Sequence, residues 1–164
     1  MKITGIRTER YRWPRERPIS NGLHTYTHSG VGFVFIDTDE GTTGIGIISG
    51  FNASSKSSRG FESTGLIERF GEDLIGEDPI NVERLWHKLW IPKLVGRRGL
   101  TTKAISSIDI ALWDLRAKVA GLPLYKMLGG FRQNIPTYVA GGYYEDGKGL
   151  KELQEELAGH VEQY

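Results

Sequence analysis

The sequence of 164 residues carries 21 basic and 20 acidic side chains, so its net charge is only +1. Such a balance gives no reason to expect a nucleic acid or an anionic membrane as a partner. The absence of cysteine excludes disulfides and thiolate chemistry and fits a reducing cytoplasm. No apolar run reaches about 18 residues, and the first residues lack the apolar core of a secretory signal. We therefore expect a cytoplasmic chain of one domain, or of one domain and part of a second.

Three predicted strands occupy the first third of the chain. Loose alternation of apolar residues predicts a strand over Lys2–Trp13, which Pro14 and Pro18 are expected to end because proline interrupts strand pairing. The charged residues between the two prolines, Arg15, Glu16 and Arg17, are predicted to form a solvated turn. Val31–Asp37 and Thr43–Ser49 flank the turn sequence Thr-Asp-Glu-Gly and predict a hairpin. Together these segments predict a small antiparallel sheet.

Two polar segments, Ser20–Gly30 and Gly50–Gly60, are predicted to be long loops. On the residue pattern alone, a mobile connector and a solvated linker are the preferred interpretations. The alternative is a binding role, because loops held by a rigid scaffold often carry ligand-binding residues. The first loop is rich in His and Tyr, and the second contains a lysine that could bind a carboxylate.

Two spacing patterns in this part of the chain resemble ligand sites and are rejected. His24 and His28 are four residues apart, but flanking glycines and the lack of a nearby Glu argue against a helical metal pair. Gly44 and Gly46 resemble part of a dinucleotide fingerprint, yet no helix opens after them. We interpret both glycines as strand residues.

Helices are predicted for most of the following sequence, at Glu62–Leu74, Asn81–Trp90 and from about residue 100 to Gly121. The last of these has the clearest period of the chain and is predicted to be buried. Its apolar stripe consists of Ile105, Ile108, Leu112, Leu115 and Val119. The small residues Ala104, Ser107 and Ala111 lie beside the stripe, where they would let another backbone approach closely.

The ends of this long helix carry recognisable signals. Thr101 or Thr102 is the predicted N-cap. Gly121 can adopt the left-handed conformation after the last turn, and Pro123 cannot continue the helix. A short apolar segment then stops at Gly129 and Gly130.

The last part of the chain predicts one strand–loop–helix unit. Ile135–Ala140 is rich in β-branched and aromatic residues and predicts a short strand. Leu150–Gln163 predicts a helix whose apolar positions face inward. Those positions are Leu150, Leu153, Leu157 and Val161.

The segment AISSIDIALWDLRAKVAGLPLYKMLGG, which starts at Ala104, resembles the enolase superfamily in its mandelate racemase and muconate lactonizing branch. That branch has Ala-Ile-Ser-x-Ile-Asp-x-Ala-Leu-Trp-Asp, then Gly-x-Pro, then Leu-Leu-Gly-Gly. Every position matches except Met127, which replaces the first leucine of the last group. The resemblance is weaker at the start but covers essentially the whole chain.

The resemblance implies an α+β capping domain over residues 1–121, made of a three-stranded antiparallel sheet plus helices. Residues 122–164 would be a linker and the first strand and helix of an α/β (TIM-like) barrel that is truncated. Because such barrels need about 250 residues, the chain is expected to be the N-terminal part of a longer enzyme.

The resemblance also implies the chemistry of that longer enzyme. Family members abstract the proton α to a carboxylate, and Mg²⁺ held by three carboxylates on later barrel strands stabilises the enediolate. The bases in the family are a Lys-x-Lys pair on the second barrel strand and often a His–Asp pair further on. We therefore expect no catalytic and no metal-binding residue in this chain. The implied parent is a Mg²⁺-dependent sugar acid dehydratase or a racemase of the mandelate racemase type, acting on a small carboxylate and forming homo-oligomers.

The site residues implied by the resemblance are those of a lid that sets substrate specificity. They are His24 and Tyr26 in the first loop, Phe51 and Lys56 in the second, and Tyr143 at the mouth of the barrel. A polar lid of this kind favours acid-sugar dehydration over mandelate-type racemisation. Two alternatives stay open: a non-catalytic module that binds a small anion or a protein, and a capping piece that works with a separate barrel chain.

Overall fold

The computed structural model describes residues 1–48, 59–90 and 99–163, and for residues 59–63 it describes the backbone alone. Three strands form an antiparallel sheet in the order β1-β2-β3, with β1 at one edge. The strands are β1 (Ile3–Ser20), β2 (Thr25–Thr38) and β3 (Thr43–Ile47). The helices within the described residues are α1 (Arg59–Glu72), α2 (Val82–Trp90), α3 (Leu100–Val119), α4 (Leu124–Met127) and α5 (Leu150–Gln163).

The predicted hairpin between β2 and β3 is confirmed. Its turn ends at Gly41, whose φ of 79° lies in the left-handed region that favours glycine. The Thr43 hydroxyl donates to an Asp37 carboxylate oxygen at 2.7 Å, and the Thr38 hydroxyl donates to the Thr42 carbonyl at 2.8 Å. These bonds fix the register of the turn.

The prediction that β1 ends at Pro14 is wrong, and so is the long loop predicted at Ser20–Gly30. β1 continues to Ser20 and pairs with β2, and only four residues separate these two strands. The pairing is irregular between Pro14 and Ile19, where four residues of β1 face a single residue of β2. Prolines are tolerated here because β1 is an edge strand and the irregularity frees it from regular pairing.

The core lies between the sheet and the helices, and α3 is its central element. Ile108, Leu112 and Leu115 are fully buried, as the apolar period predicts. β3 lies directly on α3: a β-carbon on Gly44 or Gly46 would come within 2.2 Å of a carbonyl oxygen of this helix. The prediction that small residues of α3 allow close approach of another backbone is therefore confirmed. The two glycines serve packing, as expected for strand residues.

Of the two predicted ends of α3, the C-terminal one is confirmed and the N-terminal one is wrong. The predicted N-cap at Thr101 or Thr102 is wrong, because the helix already begins at Leu100 with Gly99 as its N-cap. Gly121 has a φ of 64° after the last turn, so the predicted C-terminal signal is confirmed. Val119, the last member of the predicted stripe and the last residue of α3, is 45% exposed.

Two carboxylates of α3 have different surroundings. Asp114 accepts a hydrogen bond from the Ile45 backbone N–H at 2.8 Å and pairs with Lys118 at 2.7 Å, so it ties the helix to β3. Asp109 is half-buried, and burial together with the nearby Glu83 carboxylate raises the pKa of its carboxyl.

The raised pKa of Asp109 predicts a pH-dependent effect of its removal. Because the pKa of Asp109 is higher in the folded state, its carboxyl contributes most to the stability of the folded state below its ordinary pKa. That contribution is lost as the pH rises through the folded-state pKa. Asp109→Asn should therefore raise the free energy of unfolding at neutral pH by about 0.5 kcal/mol, and by less below pH 4, near the ordinary value of 3.8. Urea unfolding at the two pH values measures this, and an equal gain at both would contradict it.

The segment after α4 differs from the prediction in one element. The strand predicted at Ile135–Ala140 is wrong: this stretch is irregular, and Tyr138 is 90% exposed. A strand needs the backbone groups of a neighbour, and β-propensity cannot supply one. The helix Leu150–Gln163 is confirmed, but its apolar positions are not inward, since Leu150 and Val161 are more than 80% exposed. Among the described helices and strands none packs extensively on this helix, which contacts the segment before it at Gly141 and Gly142.

Within the described ranges, no helix is both long enough and apolar enough to cross a bilayer.

Candidate functional site

A cleft of about 740 Å³ lies between the far end of the β1–β2 hairpin and the segment that leads into α5. The hairpin contributes a basic and partly aromatic wall, and the later segment contributes a mostly acidic wall. The lining residues are Arg15, Arg17, Ile19, Tyr26, Ala140, Tyr143, Glu145, Asp146, Gly147, Lys148, Glu152 and Glu156.

The two walls of the cleft are joined by backbone pairing. The Ser20 N–H donates to the Tyr144 carbonyl at 2.7 Å, and the Tyr144 N–H donates to the Ser20 carbonyl at 2.9 Å. Arg17 adds an ion pair with Glu145 at 3.3 Å. The end of the hairpin is thus attached to the segment where the resemblance places the mouth of a barrel.

The hairpin turn is organised by Asn21. Its side-chain oxygen accepts hydrogen bonds from the backbone N–H groups of Leu23 and His24 at 2.9 and 2.8 Å, which is an Asx turn. Its amide nitrogen donates to the Tyr26 hydroxyl oxygen at 3.1 Å. Because this bond uses an oxygen lone pair, the hydroxyl proton of Tyr26 is left to donate to a ligand in the cleft.

The structure brings together two of the five predicted site residues. Tyr26 on β2 and Tyr143 on the opposite wall both line the cleft. His24 is exposed at the turn and does not line it; its ring lies edge-on to the Tyr26 ring, with centroids 6.2 Å apart. Phe51 and Lys56 lie outside the described residues.

Arg15 and Arg17 were missed by the sequence analysis, which took them for a solvated turn between two prolines. They lie in the irregular stretch of β1, where the extra residues redirect side chains toward the cleft. The signal that could have revealed them is the pair of prolines, Pro14 and Pro18, inside a strand that is paired with β2 on both sides of them. Within sheets, proline is confined to edge strands, to the first residue of a strand or to bulges.

Most charges of the cleft are already partnered. Lys148 pairs with Glu156, and this pair together with the Gly142 N–H holds the pKa of the Glu156 carboxyl below its usual value. Backbone N–H groups at the start of α5, including that of Gly149, likewise lower the pKa of Glu152. This glutamate occupies the position that closes a capping box.

Two charged residues of the lining, Arg15 and Asp146, form no ion pair with another described residue, unlike Arg17 with Glu145 and Lys148 with Glu156. An unpaired guanidinium in a cleft can bind a carboxylate through two parallel hydrogen bonds. Arg15 can bind a carboxylate and the two tyrosine side chains can bind hydroxyl groups, whereas the Asp146 carboxylate opposes a negative charge close to it.

The cleft does not suit a divalent metal ion. Across residues 1–48, 59–90 and 99–163, no three His, Asp or Glu side chains converge in the manner of a metal site. Its paired carboxylates already accept hydrogen bonds from a lysine or from backbone N–H groups. We therefore assign no metal ligand among these residues and derive no step through a metal.

The fold and the sequence together define the class of protein. Residues 3–129 match the family model described as the mandelate racemase / muconate lactonizing enzyme, N-terminal domain. The chain belongs to this family, within the enolase superfamily. Both the resemblance at Ala104–Gly130 and the predicted capping domain, a three-stranded antiparallel sheet with helices, are confirmed.

Particular relatives are sugar acid dehydratases. The chain is 43% identical over 89 residues to arabinonate dehydratase of Saccharolobus solfataricus, a match that covers 54% of this chain and 24% of that protein. It is 46% identical over 78 residues to L-talarate/galactarate dehydratase of Salmonella typhimurium, covering 46% of this chain and 20% of that protein.

A solved structure extends the likeness to almost the whole chain. L-talarate dehydratase from Polaromonas sp. JS666, complexed with Mg and L-glucarate, superposes with a TM-score of 0.79 at 32% identity. The superposition covers 98% of this chain and 43% of that one. The chain thus spans less than half the length of each of these three proteins.

Proposed function

We propose that this chain is the N-terminal part of a Mg²⁺-dependent enzyme that abstracts the proton α to a carboxylate, and that the enzyme is a sugar acid dehydratase. The observation that carries the proposal is the family match over residues 3–129 together with relatives named as dehydratases of sugar acids. The racemase alternative shares the same first step, the loss of the α-proton. Metal ligands and catalytic bases are assigned to barrel strands outside these 164 residues.

The proposed division of the chain follows from this assignment. Residues 1–121 form the capping domain, and residues 122–164 form the linker and first strand and helix of the barrel. A cytoplasmic location and assembly into homo-oligomers belong to the same proposal and rest on the family resemblance. The Mg²⁺ ion of the parent enzyme would stabilise the negative charge that develops on the substrate carboxylate.

The role of this chain is to bind and orient the substrate and to exclude water. Tyr26 and Tyr143 are supported by their places on the cleft, where their hydroxyl groups can hydrogen-bond to substrate hydroxyls. His24, Phe51 and Lys56 remain proposed lid residues. Arg15 adds a positive charge that suits a substrate carboxylate.

The test uses the protein encoded by the complete reading frame, screened with Mg²⁺ and a panel of sugar acids. Dehydration removes the α-proton and the β-hydroxyl as water, and the resulting enol becomes a 2-keto-3-deoxy acid, which the assay measures. For the substrate found, Tyr26→Phe and Tyr143→Phe should each lower kcat/KM about tenfold, the effect of one lost hydrogen bond.

The control is Tyr125→Phe, which removes a hydroxyl from an exposed tyrosine of α4 that does not line the cleft. Unchanged kcat/KM in the Tyr26 and Tyr143 variants would contradict the assignment of the lid. A reading frame without a Lys-x-Lys strand and three spaced acidic strand ends would contradict the enzyme itself and favour a binding module.

A further inference from the structure

We propose that Glu156 and Lys148 are positioning residues that hold the segment 141–145, termed here the mouth segment, in the place where the hairpin docks on it. The proposal concerns the geometry of this chain, and only its consequence for catalysis rests on the proposed function. It is carried by contacts from α5, through the mouth segment, to the hairpin.

The Glu156 carboxylate contacts the mouth segment at Gly142 and also contacts Lys148, which follows this segment. One oxygen accepts a hydrogen bond from the Gly142 N–H at 3.1 Å, and the other pairs with the Lys148 ammonium. The side chain of Lys148 is 14% exposed and that of Glu156 is 27% exposed. Both side chains are partly buried, so water screens this pair less than it screens a fully exposed surface pair.

Lys148 also contacts Tyr143, a residue that lines the cleft. Its ammonium donates a hydrogen bond to the Tyr143 backbone carbonyl at 3.0 Å. Gly142, one residue earlier, has a φ of 76°, a left-handed conformation that glycine adopts without strain. The two successive residues are therefore held by one carboxylate and one ammonium, on a backbone shaped by Gly142.

Packing gives independent evidence that the mouth segment lies on α5. A β-carbon on Gly141 would be 2.9 Å from a Glu156 carboxylate oxygen and 3.0 Å from the His160 ring. Any larger residue would have to displace the Glu156 side chain. The lack of a side chain at Gly141 thus leaves room for the Glu156 carboxylate.

The mouth segment in turn holds the hairpin. Tyr144 exchanges two backbone hydrogen bonds with Ser20, and Glu145 pairs with Arg17. If Glu156 is lost, the mouth segment loses the hydrogen bond at the Gly142 N–H, and Lys148, which holds the Tyr143 carbonyl, loses its counter-charge. The pairing of Tyr144 with Ser20 should therefore open more often. Tyr26 and Tyr143 would then no longer be held at a fixed separation across the cleft.

The experiment is amide hydrogen exchange by NMR on this chain without substrate. In Glu156→Ala, protection of the Ser20 and Tyr144 amides should fall about tenfold, which corresponds to the loss of one charge-assisted hydrogen bond. Protection of the Leu112 amide in α3 should stay unchanged, which shows that the core remains folded. Lys148→Arg keeps the charge and should retain most of the protection.

The control is Glu155→Ala, which removes the neighbouring carboxylate of the same helix. Glu155 lies 3.8 Å from Lys151, and both side chains are more than 60% exposed. Equal protection in the Glu156→Ala and parent chains would overturn the proposal, and so would a lack of protection at Ser20 and Tyr144 in the parent chain.

A second measurement separates this proposal from the proposed function. In the protein from the complete reading frame, Glu156→Ala should raise KM for the sugar acid with a smaller effect on kcat, because substrate binding and not proton abstraction depends on the hairpin. Absence of any sugar acid turnover would refute the proposed function, and the exchange data would still decide the role of Glu156.

Discussion

Substitution of Gly46 by alanine is expected to destabilise the folded chain by about 3 kcal/mol, the upper part of the usual range for overpacked cores. The added β-carbon would lie 2.2 Å from the Ser107 carbonyl oxygen and 3.0 Å from the Ala111 backbone nitrogen. Both are backbone atoms of α3, so no side-chain rotation can relieve the clash. Thermal unfolding should show a melting temperature about 10 °C lower.

The matched control is Gly65→Ala in α1. Nothing lies within 4 Å of the position that its β-carbon would take. Alanine is the better helix former, so this change should stabilise the chain by about 0.5–1 kcal/mol. The same substitution is thus expected to have opposite signs at the two glycines. Unchanged or higher stability of Gly46→Ala would show that the contact between β3 and α3 is not as close as described. A fall in stability for Gly65→Ala would contradict the open space described at that position.

Substitution of Leu112 by alanine is expected to cost about 3 kcal/mol, within the range measured when a large side chain is removed from a core. Leu112 is fully buried at the centre of α3, and the cavity would lie between the helix and the sheet. Ile110→Ala is the control on the same helix. Ile110 is 37% exposed, so its loss should cost less than about 1 kcal/mol.

Urea unfolding of the two variants measures the difference. If Leu112→Ala and Ile110→Ala lower the free energy of unfolding by similar amounts, the face of α3 that packs on the sheet is wrongly assigned. The result bears on function, because β3 and α3 fix the sheet from which the β1–β2 hairpin extends to the cleft.

Local patterns were sufficient for the central part of the fold. The 3- and 4-residue period located α3 and its buried face, because a helix beside a core repeats its apolar residues at that spacing. The β2–β3 hairpin followed from strand residues on both sides of a turn sequence. The motif from Ala104 to Gly130 identified the family, which the match over residues 3–129 confirms.

The cleft was accessible to sequence reasoning only in part. Tyr26 and Tyr143 were proposed from the resemblance and line the cleft, whereas Arg15 was taken for a solvated residue. Whether Pro14 ends a strand depends on whether its nitrogen faces a neighbouring strand, and an edge position cannot be recognised from one sequence. The contact between Ser20 and Tyr144 joins residues more than 120 positions apart and leaves no local signal.

The sequence by itself determined the family, the helix at the centre of the core and the close approach of a second backbone to it, because each depends on residues that are near one another in the chain. The tertiary structure alone decided how far the hairpin extends, that Arg15 and Tyr26 share a cleft with Tyr143, and that Ile135–Ala140 is not a strand. The physical reason is that a paired strand and a cleft both need residues from distant parts of the chain. The intrinsic strand propensity of a segment does not specify which distant segment packs against it.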